Sequence, residues 1–538
     1  MQRASWDPAP GHALCAEAPA RARRSSRLIG RPVRSIDPAP HARPGTQAPG
    51  MTVDTRQTFQ GAGLIVLQRA GHLLGALLFA ALVPRLMGPD LFGRYALLGS
   101  LAGALTTMSG LGLRDVIGRY APVLVTGGDW PGLRQLFGQL VAVRVVSGAA
   151  AAVVYLVLGL AWLRDFDRFA ILAAALTVPV DAVAGVLFAI FLGLNRAARW
   201  GLGELTRRWL VLGALPLGFL AGGLRGACGA WLLADLLVLA LGLAWAWPYL
   251  SRDAALRPEP SYVAPYLRFG AAFFGSRLLL VAAQASGEPL IRAVTEDYAV
   301  VSYFTLANSV YLVAVSAIRQ FTVAFTPLLT MRGTLGSSEE LRRPVARLVR
   351  WLAIAGVVAV LGTLWLAGDL VPLVLGHAYG PVAVNLLPLM LGLCTLALSS
   401  VAETLAVSLG RKRPPVLAAI IRLAAFWTMG IPLVVWRGSF GACVAVLAAS
   451  VLSTACLVWG LRDVMGPAVR SWVWVTGLGG VLVPLLWLQS SGLLNVGLYG
   501  LALAAYAALL LGFRIVTMAE VGTVWRVLDP RRPIVRES

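Results

Sequence analysis

The sequence predicts an all-α, polytopic membrane protein with about fourteen transmembrane helices. Of its 538 residues, 58% are hydrophobic and only 13% are charged, whereas soluble proteins carry about a quarter charged residues. Long apolar segments alternate with short loops, and many are near the roughly 20 residues with which a helix crosses a bilayer. Arginine is concentrated in every second loop. Together these observations exclude most classes of soluble enzyme.

Each predicted span is read from one apolar segment, in chain order. The spans are 61–83, 93–113, 138–161, 169–193, 209–224, 227–249, 266–287, 299–321, 351–371, 382–409, 416–436, 438–460, 472–489 and 492–513. The segment 209–224 is the weakest of them, because it is short and contains Pro216. Proline interrupts helix hydrogen bonding, so bends are predicted in four spans, at Pro179, Pro216, Pro388 and Pro432.

The distribution of arginine predicts the orientation. Loops on one side are rich in arginine, and the opposite loops hold only Arg85, Arg94, Arg164, Arg168, Arg225, Arg292 and Arg437. The positive-inside rule then places both termini in the cytoplasm of a multi-pass protein of the inner (plasma) membrane. The net charge of +21 is dispersed beside the spans, which favours anionic lipid headgroups over nucleic acid as its partners.

This orientation predicts the outcome of reporter fusions. A cytoplasm-active reporter is expected to be active after Gly410 and at Ser538, and a periplasm-active reporter after Ser490, because these positions fall on opposite sides of the predicted membrane. A periplasmic signal at Ser538 would contradict the even number of spans.

The spans divide the chain into five predicted regions. These are a disordered N-terminal extension (1–55), an N-terminal lobe of spans 1–6 (56–255), a C-terminal lobe of spans 7–12 (256–465), spans 13 and 14 (466–515), and a cytoplasmic tail (516–538). The extension is rich in Pro, Ala and Arg and lacks an apolar run, which is typical of disorder and not of a signal peptide. Met51 is an alternative start that would leave most of it untranslated.

The two lobes contain an internal repeat. One offset in the numbering aligns Arg69 with Arg277 and also Tyr95 with Tyr303, and a slightly larger offset aligns Arg207 with Arg422. Six spans in each half give the halves the same orientation, a plan found in transporters whose repeats are related by an axis along the membrane normal.

Three stretches are similar to one family of membrane proteins. They are Gln68-Arg-Ala with Pro84-Arg-Leu-Met-Gly-Pro-Asp-Leu-Phe-Gly-Arg-Tyr-Ala-Leu, Gly110-Leu-Gly-Leu-Arg-Asp-Val-Ile-Gly-Arg-Tyr-Ala-Pro, and Gly410-Arg-Lys-Arg-Pro-Pro. In these stretches the chain resembles the bacterial polysaccharide flippases, which translocate O-antigen and exopolysaccharide precursors and belong to the MATE-like exporter superfamily. The resemblance covers roughly 55–515.

The resemblance implies a mechanism and a substrate. Two six-helix lobes would face a central cavity and expose it to each side of the membrane in turn, with spans 13 and 14 holding a lipid tail. The substrate would be an undecaprenyl-diphosphate-linked oligosaccharide for cell-surface polysaccharide, and the partners would be membrane lipids, a polysaccharide polymerase and other export proteins. No cofactor is implied.

Three alternatives stay open. A cation-coupled multidrug exporter of the same superfamily would favour an acid-lined cavity, and a lipid II flippase would be distinguished by essentiality of its gene. A membrane-embedded polysaccharide polymerase or ligase is the alternative from another class. It would favour a large outer loop with a catalytic acid or base, and no such loop is visible.

Charged residues inside spans are the candidate substrate site, because charge in a bilayer is costly and usually functional. Arginine presents a planar, permanently charged fork that matches phosphate oxygens. Arg69 in span 1 and Arg277 in span 7 are therefore predicted to bind the diphosphate, with an ion pair or snorkelling as the alternative. Arg319 is predicted to contact the headgroup at the cavity mouth, or to be an ordinary anchor. Arg207 and Arg422 are predicted to be anchors.

Four acids in or beside spans are candidates for coupling transport to a proton or sodium ion: Asp181, Asp235, Glu288 and Glu403. The alternative for each is a hydrogen-bonded packing acid. The four histidines do not cluster, the five cysteines show no metal-ligand spacing, and no P-loop is present. No catalytic residue and no metal site are therefore predicted.

Overall fold

The computed structural model describes residues 55–194, 196–250, 260–325, 338–411, 413–484 and 492–518, together with 520 and 522. Within these ranges the ordered elements are helices and no strand occurs, so the all-α prediction is confirmed. The predicted N-terminal extension, apart from Thr55, and most of the predicted tail lie outside the described residues.

The N lobe consists of five helices. They are α1 (Thr55–Met108), α2 (Leu113–Thr126), α3 (Trp130–Trp162), α4 (Arg168–Gly193) and α5 (Ala197–Ala246). The start of α3 shows how the sequence sets a helix boundary: Asp129 is its N-cap, and Oδ1 accepts a 2.8 Å hydrogen bond from Gly132 N. An acidic N-cap satisfies a backbone donor that the first helical turn leaves free.

Six further helices form the C lobe, and two more follow it. The C lobe contains α6 (Pro260–Ala285), α7 (Gly287–Thr295), α8 (Tyr298–Ala324), α9 (Ser338–Leu375), α10 (Pro381–Ser408) and α11 (Arg413–Gly460). The additional helices are α12 (Arg462–Gly480) and α13 (Leu493–Gly512). Both pack on α9, and Tyr506 of α13 donates a hydrogen bond to the Val475 carbonyl of α12.

Three long helices are interrupted at glycines with positive φ, at Gly88, Gly223 and Gly438. Glycine adopts such φ values without steric strain. In α5, a Cβ atom on Gly226 would overlap the carbonyl of Gly218, more than two helical turns earlier. A straight helix separates such residues by about 12 Å, so α5 folds back on itself as a helical hairpin. The sequence predicted bends at prolines, but these interruptions lie at glycines, and in α5 the chain reverses there.

The interruptions also show the repeat in the structure. The offset that aligns Arg207 with Arg422 also aligns Gly223 with Gly438. At this offset, the close approach of Gly226 to Gly218 in α5 recurs in α11, between Gly441 and Leu433. The smaller offset, which aligns Arg69 with Arg277, aligns Gly88 with Glu296, and both of these residues have positive φ. The lobes are therefore pseudo-symmetric, as the sequence predicts.

Nine helices among the described residues are long and apolar enough to cross a membrane. Three of them are the interrupted helices α1, α5 and α11, each of which corresponds to two predicted spans. The predicted span 266–287 coincides with α6 and the start of α7, and the first half of the span 472–489 coincides with the second half of α12. With nine such helices, the protein is a multi-pass membrane protein. Because α6, α7 and α12 are not among the nine, the total of fourteen spans stays a prediction.

Candidate functional site

A cavity of about 1200 Å³ lies between the two lobes. One wall is the first arm of α1, with the ends of α4 and α5 nearby. The opposite wall consists of α8, α9 and α10 of the C lobe. Its volume exceeds the roughly 300–1,000 Å³ of typical small-molecule pockets, so it can hold a large ligand.

Polar side chains gather at one end of this cavity. The guanidinium of Arg114 lies 4.0 Å from a Glu204 carboxylate oxygen and 5.7 Å from the ring centre of Trp200. The Trp200 Nε1 donor is buried and has no hydrogen-bond partner among the described residues. His72 also lines this end, and its Nε2 lies 3.1 Å from Nη2 of Arg208. This end of the cavity is therefore polar: it contains the Arg114–Glu204 pair, and the guanidinium of Arg208 lies behind His72.

The rest of the cavity lining is mainly apolar. Leu366, Leu370 and Val374 of α9 all line it, because residues four apart lie on the same face of a helix. Leu73 and Leu77 of α1 line the opposite wall at the same spacing. The cavity is therefore amphipathic, with a polar end and an apolar wall. The α12 and α13 helices, predicted to hold a lipid tail, contribute no described residue to its lining.

The side chains of Arg69 and Arg277 lie outside the described residues. The backbone of Arg69 is helical, in α1, and it stands between Gln68 and His72, which both line the cavity. Arg277 is likewise helical, in α6. The proposed opposition of the two guanidinium groups therefore stays a prediction.

Arg207 binds two of the candidate coupling acids inside the N lobe. Its Nη1 lies 2.6 Å from Asp181 Oδ1, and its Nε and Nη2 donate to both oxygens of Asp235 at 2.8 and 3.2 Å. Asp235 is 1% exposed. Removing one partner of such a buried pair typically costs about 3–5 kcal/mol. The sequence did not predict this pairing. A signal for it was present: two acids lie in spans, where a charge is energetically costly, together with an arginine that the repeat aligns with Arg422.

The other candidate residues lie in the C lobe. Glu288, in α7, is buried and accepts a 3.3 Å hydrogen bond from Thr305. Glu403 lines a cavity of about 160 Å³ together with Arg422. Arg319 lines a smaller cavity with Arg422, whereas its neighbour Gln320 lines the large cavity. The structure thus brings Arg319, Arg422 and Glu403 to adjoining cavities.

A polar cluster joins the lobes at one end, here called the Asp165 end. Asp165, in the loop between α3 and α4, accepts a 2.6 Å hydrogen bond from the Tyr298 hydroxyl. Its Oδ2 lies 3.6 Å from Arg292 Nη2 and 3.8 Å from Arg94 Nη1. Both guanidinium groups also stack over the Tyr298 ring, at 4.5 Å for Arg94 and 4.6 Å for Arg292. Arg94 and Asp165 belong to the N lobe and the other two to the C lobe, so the cluster links the two lobes at this end.

The charge of Asp165 is stable toward acid. Burial alone raises the pKa of this carboxyl, but the hydrogen bond from Tyr298 and the charges of Arg292 and Arg94 outweigh it and hold the pKa below its usual value. A carboxyl with a lowered pKa contributes its full stabilisation above its ordinary pKa and loses it only as pH falls through the lowered value. The cluster therefore persists at neutral and mildly acidic pH.

Small residues and aromatic rings join the lobes at the opposite end, here called the Gly112 end. A Cβ atom on Gly112 would overlap the backbone of Gly270 in α6. Beside this contact, the ring of Tyr120 in α2 lies 4.9 Å from that of Tyr266 and 5.7 Å from that of Phe269, centre to centre. The lobes thus meet at both ends, beside a cavity that extends between them.

No family model and no curated protein sequence matches the chain, but solved structures match most of its length. The structure of the lipid II flippase MurJ in an inward closed conformation matches with a TM-score of 0.58 and 13% identity, over 84% of this chain and 98% of that one. An inward-facing multidrug resistance MATE family transporter of the MOP superfamily matches with a TM-score of 0.60 and 16% identity, over 74% and 95%. A variant of the Vibrio cholerae MATE transporter VcmN matches with a TM-score of 0.52 and 15% identity, over 76% and 98%. The chain therefore shares the fold of these three proteins.

Proposed function

We propose that the protein is a flippase that moves an undecaprenyl-diphosphate-linked oligosaccharide from the cytoplasmic to the outer leaflet of the inner membrane. The amphipathic cavity between the lobes is the observation that supports this most directly. A lipid-linked sugar needs a polar region for its diphosphate and an apolar surface for its prenyl chain, and the cavity combines a polar end that contains Arg114 with an apolar wall. A polymerase on the outer side is the expected consumer of the product.

The proposed orientation gives each end of the cavity a role. The arginine-rich loops adjoin the Gly112 end, which the positive-inside rule assigns to the cytoplasm. The polar end of the cavity, with Arg114 and His72, lies toward that side. Arg69 and Arg277 are proposed to bind the diphosphate there, because guanidinium groups form paired, charge-assisted hydrogen bonds with phosphate oxygens.

Alternating access requires the two interlobe contacts to break one at a time. Breaking the Gly112 contact opens the cavity to the cytoplasm, and breaking the Asp165 cluster opens it to the outside. A coupling ion would have to favour one of these two open conformations over the other. Because Arg207 already engages Asp181 and Asp235, Glu288 and Glu403 are the acids we propose for coupling.

Two other substrates are the main alternatives. One of the solved structures is a lipid II flippase, and lipid II shares the diphosphate and the prenyl chain of the proposed substrate. A cationic drug is less favoured, since Glu204 is the one acid that lines the large cavity among the described residues and it faces Arg114.

A transport assay in liposomes distinguishes these substrates. The purified protein is reconstituted with a fluorescent undecaprenyl-diphosphate oligosaccharide, with lipid II, or with a cationic dye, and the fraction accessible in the outer leaflet is followed over time. Faster movement of the oligosaccharide lipid than in protein-free liposomes is expected, with little movement of the dye. Movement of the dye alone would contradict the proposal, and movement of lipid II alone would replace its substrate.

A further inference from the structure

Two arginines of the C lobe line one small cavity. It has a volume of about 50 Å³ and lies among α6, α7, α8, α10 and α11. Arg319 and Arg422 both line it. Among the residues whose side chains the structure describes, no carboxylate oxygen lies within 4.0 Å of a nitrogen of either arginine.

The hydrogen bonding of these two side chains is incomplete. Nε of Arg319 is buried and has no partner among the described residues, and Nε of Arg422 donates to the neutral hydroxyl of Ser453 at 3.2 Å. Both side chains are partly buried, and a guanidinium group keeps its proton in proteins, so each carries a charge that is costly to desolvate without an anion beside it. Glu403 lines a neighbouring cavity with Arg422 but forms no ion pair with it among the described residues, so the pair lacks a directly bound negative charge.

In the N lobe, carboxylates neutralise the charge of the arginine at the equivalent position. Arg207, the repeat partner of Arg422, binds the carboxylates of Asp181 and Asp235. The offset that relates the hairpins of α5 and α11 places Leu396 and Ser450 at the positions of these acids, and both line the small cavity. The C lobe thus keeps the arginine but has a cavity and neutral side chains where the N lobe has carboxylates.

We propose that the C lobe binds a small inorganic anion of about the size of chloride, between Arg319 and Arg422. A water molecule needs about 10–15 Å³ on this measure of volume, so the cavity holds one such ion with a few water molecules, but not a diphosphate with its sugar. Gln284, Asn308 and Tyr311 also line it and can donate hydrogen bonds to an anion. The site is distinct from the substrate cavity and does not depend on the proposed function.

The thermal stability of the purified full chain tests this inference. The unfolding midpoint is measured while sodium gluconate, a bulky anion, is replaced by sodium chloride at constant ionic strength, so that screening is unchanged. A saturable rise of at least about 2 °C is expected, because a ligand that binds only the folded state stabilises it. No chloride-dependent rise would overturn the proposal, as would phosphate acting at lower concentrations than chloride, which would indicate a phosphate-group site instead.

Variants locate the effect. Ser450→Asp supplies a carboxylate at the position equivalent to Asp235 and is expected to abolish the chloride-dependent rise, without a loss of stability in gluconate. Arg319→Gln is expected to abolish the rise as well, and it keeps the inference testable where one of the variants folds poorly. Arg196→Gln, at an exposed arginine outside the cavity, is the matched control and is expected to retain the full rise. A rise that persists in both cavity variants, or is lost in the control, would refute the site.

Discussion

Replacing Arg69 or Arg277 by alanine is expected to abolish polysaccharide export while leaving the protein in the membrane. Each charge-assisted hydrogen bond to a phosphate is worth about 1.5–3 kcal/mol, which corresponds to about ten- to hundredfold in affinity. A guanidinium makes two such bonds at once, so Arg→Lys is expected to restore export only in part. A carboxylate at either position is expected to be worse than alanine, because it repels the diphosphate.

The measurement is surface polysaccharide, together with the amount of lipid-linked intermediate that accumulates in the cytoplasmic leaflet. Arg196→Lys is the matched control, since Arg196 is exposed and contacts the Tyr249 hydroxyl, away from the cavity. Normal export by both alanine variants would refute the cationic-site mechanism, even where the flippase assignment stands.

Arg207 changes one expectation from the sequence. As a membrane anchor it would tolerate lysine, because anchoring requires only charge. In the structure it binds Asp235 with two nitrogens and Asp181 with a third, a geometry that one ammonium group does not reproduce. Arg207→Lys is therefore unsuitable as a control that leaves the protein unchanged. Its effect on export would reflect the stability of the N lobe.

The sequence predicted the features that follow from composition and spacing. Apolar length gives the helices, and the repeat offsets recur in the structure as reversals at Gly223 and Gly438. The pairing of Arg207 with Asp181 and Asp235 was not predicted, because helices α4 and α5 must be rotated correctly before these side chains meet. Such rotations depend on packing between helices, which a single sequence does not display.

The interlobe contacts could not be predicted from the sequence, for a different reason. Asp165 and Tyr298 are 133 residues apart, and neither lies in a motif, so nothing local marks them as partners. The Gly112 end depends on the missing Cβ atoms of Gly112 and Gly270. Glycine is common in this chain, and only the approach of two backbones distinguishes these positions from the others.

Filling the close backbone contacts is expected to shift the conformation in opposite directions. In α1, a Cβ atom on Gly93 would overlap the Tyr298 carbonyl of α8, so Gly93→Val is expected to keep the Asp165 end open. In α6, a Cβ atom on Gly270 would lie 2.7 Å from the Leu111 carbonyl, so Gly270→Val is expected to open the Gly112 end. Each variant should lose most of its transport activity, because alternation requires both ends to close in turn.

The shift is measured with a cysteine in the large cavity. Ser316→Cys, which lines it, is introduced into a background without the chain's other cysteines and is labelled by a membrane-impermeant thiol reagent from either side. In the proposed orientation, Gly93→Val raises labelling from the periplasm and Gly270→Val raises it from the cytoplasm, each by several-fold.

Matched controls lie on the same two helices. Among the described residues, and apart from the local helix backbone, no atom lies within 4 Å of a Cβ built on Gly99 of α1 or on Gly275 of α6. Gly99→Val and Gly275→Val therefore change helix propensity in the same way as the test variants, but create no overlap between the lobes. They are expected to label like the unaltered protein.

Because the two contacts lie at opposite ends of the lobes, a mechanism by alternating access requires opposite responses from the test variants. Increased labelling from the same side in both would contradict that mechanism, and an unchanged pattern in both would show that the ends close without these contacts.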